Sequence, residues 1–191
     1  MKELIIIAGA NGTGKTTFAK KYLSFHNCLF LNADEIAFEK FPSIQNQITA
    51  GKEFLTQLKA LDDTNSLVLL ESTLSGKYLF TFINEMRNKG VKVTIIYLFL
   101  DSVEEALSRI KIRVLKGGHD IPENIVKRRY SRSLSNFWSK YKNQADYWII
   151  FNNAGQTYKR IAIGNMENYS IENSELFNNF TKQLKNGNQR I

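Results

Sequence analysis

A glycine-rich loop at residues 9–16, Gly-Ala-Asn-Gly-Thr-Gly-Lys-Thr, constrains the fold of this chain more than any other feature of its sequence. The loop follows a short aliphatic run, Leu4–Ala8, and precedes a segment in which apolar side chains recur at helical spacing. Glycines let consecutive backbone N–H groups turn inward around phosphate oxygens, because no Cβ stands in the way. A strand, this loop and a helix in that order are typical of a phosphate-binding loop for a nucleoside triphosphate.

The lysine and the threonine that end the loop have separate predicted tasks. Lys15 is expected to reach the β- and γ-phosphates, and the Thr16 hydroxyl is suited to coordinate Mg²⁺. The helix that begins at Lys15 adds the positive end of its dipole. The residues predicted to bind the nucleotide are Gly9, Ala10, Asn11, Gly12, Thr13, Gly14, Lys15, Thr16, Thr17 and, after the last parallel strand, Asn153.

Aliphatic runs that predict strands alternate with segments that predict helices through most of the chain. The predicted strands are Leu4–Ala8, Cys28–Leu31, Leu67–Leu70, Val93–Leu100 and Tyr147–Phe151, and the main predicted helices cover about 15–25, 44–61, 76–88, 101–115 and 122–141. This alternation predicts an α/β fold. We expect a three-layer P-loop sandwich whose five-stranded parallel sheet, in the order 2-3-1-4-5, has helices on both faces.

A hairpin and an amphipathic helix are predicted to follow the parallel strands. The hairpin strands are Tyr158–Ile163 and Tyr169–Ile171, on either side of a turn at Gly164-Asn165. A chain of 191 residues suits one domain. We therefore expect a single P-loop domain over residues 1–185 and a frayed tail over 186–191.

The chain carries 26 Lys and Arg against 18 Asp and Glu, which gives a formal net charge of +8. The basic residues concentrate in 109–142, where either anionic ligands or a solvated helix face explains them. A single cysteine excludes an intramolecular disulfide framework, and no apolar run approaches the ~20 residues of a membrane span. We expect a cytoplasmic protein that does not bind membranes.

Polar residues follow the predicted strands at the sheet edge that carries the phosphate loop. Because parallel strands all end on one edge, Asp34, Glu71, Asp101 and Asn152 are expected near that loop. Either Glu71 or Asp101 can complete a metal site there. Asp101 with Glu104 fits a capping box that opens a helix, so Glu71 is the favoured metal ligand.

Asp34 and two arginines are candidates for phosphoryl-transfer chemistry. A carboxylate at Asp34 would orient an acceptor hydroxyl and take its proton, although Asp34 also fits the cap of a helix near 35–41. Arg113 and Arg129 flank Gly117-Gly118, a break that suits a lid, and guanidinium groups offset the charge of a transferred phosphoryl group. A surface position is the alternative for each arginine.

The order of several motifs resembles that of the zeta-toxin-like P-loop kinases. The motifs are the loop at 9–17, Asn32-Ala33-Asp34, Glu71-Ser72-Thr73, the segment 113–122 with its Lys-Gly-Gly-His, the segment 128–134, and Asn152-Asn153. The resemblance covers about 1–163 and is nearest to short, stand-alone members described as predicted ATPases. It implies transfer of phosphate from ATP or GTP, with Mg²⁺, to a sugar nucleotide, which is UDP-N-acetylglucosamine in the toxins. It also implies a small antitoxin protein as a partner.

The resemblance implies roles for individual residues. Lys15 and Thr16 match the phosphate and Mg²⁺ positions, and Asp34 matches the catalytic base. Glu71 and Thr73 match contacts to the acceptor.

The resemblance also matches Arg113 and Arg129 best to the family's arginines that stabilise charge during phosphoryl transfer. Arg109 and Arg128 are the alternatives for those two positions. His119, in the loop after the glycine pair, is assigned to the acceptor side as a hydrogen-bonding residue rather than a base.

Two departures from the family pattern leave the acceptor open. Residues 71–74 are Glu-Ser-Thr-Leu rather than the Glu-Gly-Thr of the toxins, and the compact chain leaves little room for a substrate-binding insertion. We expect a small anionic metabolite. There are two alternatives. One is a nucleic-acid 5′-end kinase, which the positive charge fits, although nucleic acid is not the favoured partner. The other is a nucleotide-dependent switch without a small acceptor.

Overall fold

The computed structural model describes residues 2–32, 56, 67–76, 78–118, 120–155 and 157–188. Asp34, His119 and the predicted helix near 35–41 lie outside the described residues, as does the predicted helix over 44–61 apart from residue 56. Within the described ranges, no helix is long and apolar enough to cross a membrane.

Seven strands in the described residues form one sheet: β1 Glu3–Ala8, β2 Leu29–Asn32, β3 Leu67–Ser72, β4 Lys92–Phe99, β5 Tyr147–Asn152, β6 Lys159–Gly164 and β7 Tyr169–Ile171. Their order is β2-β3-β1-β4-β5-β6-β7. The first five strands pair in parallel, which confirms the predicted order 2-3-1-4-5. The prediction that the sheet has only five strands is wrong, because β6 pairs antiparallel with β5 and the hairpin extends the sheet. This pairing satisfies backbone groups that β5 would otherwise expose as an edge strand.

Helices cover both faces of the sheet, as predicted. The described helices are α1 Lys15–Leu23, α2 Tyr78–Asn88, α3 Val103–Leu115, α4 Glu123–Ser139 and α5 Ser174–Asn188, and a 3-10 turn, Tyr141–Gln144, follows α4. Helix α5 thus runs into the stretch that was predicted to fray.

Strand β1 shows why the parallel strands need continuous apolar runs. Leu4 and Ile6 belong to the core on the face covered by α2, α3, α4 and α5, whereas Ile5 and Ile7 belong to the core beneath α1. Successive side chains of a strand point to opposite faces. A strand covered on both sides therefore has no polar alternation.

The N-cap of helix α3 lies one residue later than the sequence pattern predicted. The Ser102 hydroxyl accepts a hydrogen bond from the backbone N–H of Glu105 at 3.1 Å, so Ser102 is the N-cap. The prediction of a box formed by Asp101 and Glu104 is wrong. Asp101 instead accepts a hydrogen bond from the Asn152 side chain at 2.7 Å, which joins the ends of β4 and β5.

Candidate functional site

The glycine-rich loop joins β1 to α1 in a conformation that only glycines adopt easily. Gly9, Gly12 and Gly14 have φ values of 142°, 84° and 88°. A Cβ on Gly12 would lie 2.6 Å from the carbonyl oxygen of Ala106 in α3, and a Cβ on Gly14 would lie 2.6 Å from Asn153 Nδ2. The loop therefore requires glycine for its backbone conformation and for the close approach of its neighbours.

The start of α1 is suited to an anion. Gly14 is the N-cap and has no side chain to bond the N–H groups of the first turn, which contains no acidic residue. Lys15 is 5% exposed, and its ammonium donates to the Ala10 carbonyl at 3.1 Å. The Thr13 hydroxyl donates to the same carbonyl at 2.9 Å, while the buried Asn11 Oδ1 has no hydrogen-bond partner among the described residues. The residues present fit a nucleoside triphosphate.

Glu71 lies beside the phosphate loop, at the C-terminal end of β3. Its side chain is buried, Oε1 accepts a hydrogen bond from Thr16 Oγ1 at 3.0 Å, and Oε2 accepts one from Asn32 Nδ2 at 3.3 Å. Oxygen ligands of this kind suit Mg²⁺, which uses few protein ligands together with nucleotide phosphates and water. Among the described residues, no group of three or more His, Cys, Asp or Glu side chains is placed to hold a metal. The chemistry of the Thr16 and Glu71 side chains fits Mg²⁺ beside a bound nucleotide, and their role as its ligands stays a prediction.

The segment after β3 has an unusual backbone that the sequence did not predict. Thr73 is 8% exposed, and its hydroxyl lies 2.9 Å from the Ser75 hydroxyl. Leu74 has φ 52°, a left-handed conformation that is rare for a leucine. Its N–H donates to Ser72 Oγ at 3.1 Å, and its carbonyl accepts from Asn136 Nδ2 at 2.8 Å. Strained backbone of this kind is common at functional sites.

Asn153 connects the end of β5 to the phosphate loop, and Arg109 supports it. Asn153 Nδ2 donates to the Thr13 carbonyl at 2.9 Å, and Arg109 Nη2 donates to the Asn153 carbonyl. Arg109 also forms a 2.9 Å ion pair with Glu105, one turn earlier in α3. Burial raises the pKa of Glu105, and the positive charge of Arg109 opposes this rise. The structure thus connects Arg109 to the phosphate loop through Asn153, whereas the sequence offered Arg109 only as an alternative to Arg113 and Arg129.

Arg113 and Arg129 lie on two different helices. Arg113 is exposed in the last turn of α3, and Arg129 is half-buried within α4. The glycine pair between them ends α3: Gly117, with φ 81°, donates to the Val114 carbonyl, and Gly118 donates to the Arg113 carbonyl, both at 2.9 Å. These two bonds are those of a Schellman motif. The roles of Arg113 and Arg129 in phosphoryl transfer stay predictions.

The fold and the loop together define a P-loop nucleotide-binding domain. The chain matches the family described as an AAA domain over residues 1–172, and it belongs to that family. It is also 32% identical over 130 residues to an uncharacterized protein of Haemophilus influenzae, a match that covers 67% of this chain and 92% of that protein.

Three solved structures show how widely the fold is shared. The complex of AvrRxo1-ORF1 and AvrRxo1-ORF2 with sulphate ions contains a chain that aligns with a TM-score of 0.71 at 18% identity, over 95% of this chain and 64% of that chain. The PezAT chromosomal toxin-antitoxin system of Streptococcus pneumoniae aligns with a TM-score of 0.64 at 14% identity, over 100% and 86% of the two chains. The Pnkp1/Rnl/Hen1 RNA repair complex aligns with a TM-score of 0.60 at 21% identity, over 72% and 46%.

This chain therefore spans less than two thirds of the first of these proteins. At such identities the alignments establish the fold. Together with the AAA domain match, they confirm that the predicted resemblance to the zeta-toxin-like P-loop kinases holds for the fold.

Proposed function

We propose that this protein is a Mg²⁺-dependent phosphotransferase that moves the γ-phosphoryl group of ATP or GTP to a hydroxyl of a small anionic metabolite. UDP-N-acetylglucosamine is the first acceptor to test. The observation that carries the proposal is the 3.0 Å hydrogen bond between Thr16 Oγ1 and Glu71 Oε1, which holds a buried carboxylate beside the phosphate loop. A related fold crystallised with ATP, an AvrRxo1-ORF1:-ORF2 structure with a TM-score of 0.69, supports the nucleotide half.

In this proposal the residues of the chain divide into a donor side and an acceptor side. The loop N–H groups and Lys15 bind the phosphates, and Thr16 with Glu71 would hold Mg²⁺, which supplies neutralising charge when bound. The acceptor oxygen bonds to the γ-phosphorus while the bond to the β–γ bridging oxygen breaks, leaving the nucleoside diphosphate. Asp34 is the proposed base that takes the hydroxyl proton, and Thr73 and His119 are proposed acceptor contacts.

Mass spectrometry of the acceptor tests this function. The protein, ATP and Mg²⁺ are incubated with UDP-N-acetylglucosamine and, separately, with a metabolite extract, and the expected product carries one added phosphate. Asp34→Asn should lower transfer by roughly 10²-fold or more while ATP still binds. Glu167→Gln is a control for loss of a carboxylate, because Glu167 is exposed in the turn between β6 and β7 and belongs to none of the motifs.

The two incubations separate the acceptor from the reaction class. A phosphate gain in the extract without a gain on UDP-N-acetylglucosamine would keep the kinase and discard that sugar nucleotide. Absence of a gain in both, with ATP bound, would overturn the proposal. Equal transfer by the Asp34→Asn variant and the wild type would remove Asp34 from the mechanism.

A nucleic-acid 5′-end kinase is the second candidate. The net charge of +8 and the similarity in fold to a chain of an RNA repair complex favour it. This candidate predicts phosphorylation of a short 5′-hydroxyl oligonucleotide, with binding that weakens steeply as salt rises. An oligonucleotide that is neither bound nor phosphorylated would eliminate it.

We also propose a partner protein of the antitoxin type. The support is that two of the similar folds come from paired systems, AvrRxo1-ORF1 with ORF2 and the PezAT toxin-antitoxin pair. Co-expression with the product of an adjacent reading frame, followed by size-exclusion chromatography, should yield a stable complex with reduced phosphotransfer. Separate elution of the two proteins would contradict this partner.

A further inference from the structure

The C-terminal helix α5 reaches the sheet edge that carries the phosphate loop, although it begins beyond the 1–172 match to the AAA domain family. Asn179 Nδ2 donates to Asp101 Oδ1 at 2.9 Å, and Gln183 Nε2 donates to the Asp101 carbonyl at 3.0 Å. Residues four apart lie on the same face of a helix. Two successive turns of α5 therefore bind one residue just after β4.

Asp101 passes this contact on to the end of β5. The same oxygen, Oδ1, accepts a hydrogen bond from Asn152 Nδ2 at 2.7 Å, and Asn152 Oδ1 accepts one from the Ala154 N–H at 3.0 Å. The turn held in this way carries Asn153, whose Nδ2 donates to the Thr13 carbonyl of the phosphate loop at 2.9 Å. A continuous path of side chains thus joins α5 to the loop.

The chemistry of a carboxylate makes this path specific. An ionised aspartate only accepts hydrogen bonds, so both amides that contact it must present their N–H groups. For Asn152 this orientation leaves the carbonyl oxygen directed to the Ala154 N–H, which fixes the turn before the phosphate loop. Hydrogen bonds to a charged acceptor are also roughly twice as strong as neutral ones.

Aromatic packing anchors α5 independently of this polar contact. Phe177 and Phe180 are buried, and their rings lie 5.7 and 5.5 Å from the ring of Trp138 in α4. Loss of one amide from α5 should therefore leave the helix in place. An effect of that loss on the phosphate loop would then be transmitted rather than caused by unfolding.

We propose that Asn179 is a positioning residue for nucleotide binding, which acts through Asp101 and Asn152 to hold Asn153 against the phosphate loop. This inference rests on the nucleotide half of the proposed function. Asn179→Ala should weaken the binding of ATP with Mg²⁺ by about tenfold, the scale of one hydrogen bond to a charged group. Isothermal titration calorimetry measures this change, and thermal unfolding without nucleotide checks that the variant is folded.

A matched control lies one residue away. Asn178 is exposed on the same helix, and Asn178→Ala should bind ATP as the wild type does. Equal ATP affinities for wild type, Asn178→Ala and folded Asn179→Ala would overturn the inference. If Asn179→Ala is unfolded, Asp101→Asn replaces it, because this change keeps the side-chain volume and removes the acceptor-only group.

A double-mutant cycle with Asn153→Ala separates positioning from a general structural effect. If Asn179 acts through Asn153, the change Asn179→Ala should have no further effect on ATP affinity in the Asn153→Ala background. Two additive losses would overturn the proposed path. Because the readout is ATP binding, a wild type that binds ATP and phosphorylates no acceptor would contradict the proposed function and leave this test intact.

Discussion

Replacing Gly12 by alanine tests whether α3 determines the conformation of the phosphate loop. The new Cβ would lie 2.6 Å from the Ala106 carbonyl oxygen and 3.1 Å from Ala106 Cα, and both are backbone atoms of a helix. The left-handed φ of 84° costs an alanine about 1–2 kcal/mol, and a clash in a packed region costs about 1–3 kcal/mol more. We expect the free energy of unfolding to fall by about 2–5 kcal/mol.

Two other glycines separate the two contributions. Gly90, after α2, has φ 79° and open space where a Cβ would lie, so Gly90→Ala should show the conformational cost alone, about 1–2 kcal/mol. Gly155 also faces open space, and its φ is outside the left-handed range. Gly155→Ala should be neutral or slightly stabilising, because alanine restricts the unfolded chain.

Urea denaturation of the three variants and calorimetric titration with ATP and Mg²⁺ provide the assay. The expected order of stability loss is Gly12→Ala, then Gly90→Ala, then Gly155→Ala. ATP affinity should fall by about tenfold or more for Gly12→Ala alone, because the loop N–H groups would no longer match the phosphates. Equal losses of stability at Gly12 and Gly90 would refute the steric argument, and normal ATP binding by Gly12→Ala would refute the role of α3.

Two further changes test the core and the support of Arg109. Tyr97→Phe leaves the buried Ser133 hydroxyl without its 2.9 Å partner, so the free energy of unfolding measured in urea should fall by about 1–2 kcal/mol. Adding Ser133→Ala should recover part of this loss, and no recovery would contradict the pairing. Glu105→Gln should be more stable than the wild type at neutral pH. Burial raises the pKa of Glu105, so the stability that this group contributes is present below its ordinary pKa and is lost as pH rises through the raised value. Unfolding measured at about pH 4 and pH 7 should show the advantage of the variant only at pH 7, and an advantage confined to acid would contradict the sign.

The parallel part of the fold was predictable because its strands are short, mainly apolar runs that alternate with segments of helical periodicity. The N-cap of α3 was not predictable in the same way. The sequence offers the same spacing twice, as Asp101 with Glu104 and as Ser102 with Glu105, and both satisfy the local pattern. The choice depends on partners distant in the chain, because Asn152 and Asn179 occupy the Asp101 carboxylate. A tertiary contact therefore decided which residue caps the helix.

The site shows the same division between local and distant information. Glu71 was expected beside Thr16 because parallel strands end on one edge, and the described geometry places these two side chains 3.0 Å apart. Arg109 had no signal that separated it from the other arginines of 109–132. Its contact with the carbonyl of Asn153, 44 residues away, is a tertiary contact that no local pattern encodes. The left-handed backbone at Leu74 likewise has no local signature, since leucine rarely adopts it.

The glycine pair after α3 has a structural explanation. Gly117 adopts φ 81° and closes the helix, and a Cβ on Gly118 would lie 2.6 Å from Arg113 Cγ and 2.9 Å from the Arg113 carbonyl oxygen. The second glycine is therefore needed to make room for the stem of Arg113. This packing and the two capping hydrogen bonds hold Arg113 on the last turn of a regular helix, so the end of α3 by itself explains both glycines, and the lid stays a prediction. Arg129 lies beyond the pair, within α4, so the two arginines belong to separate regular helices.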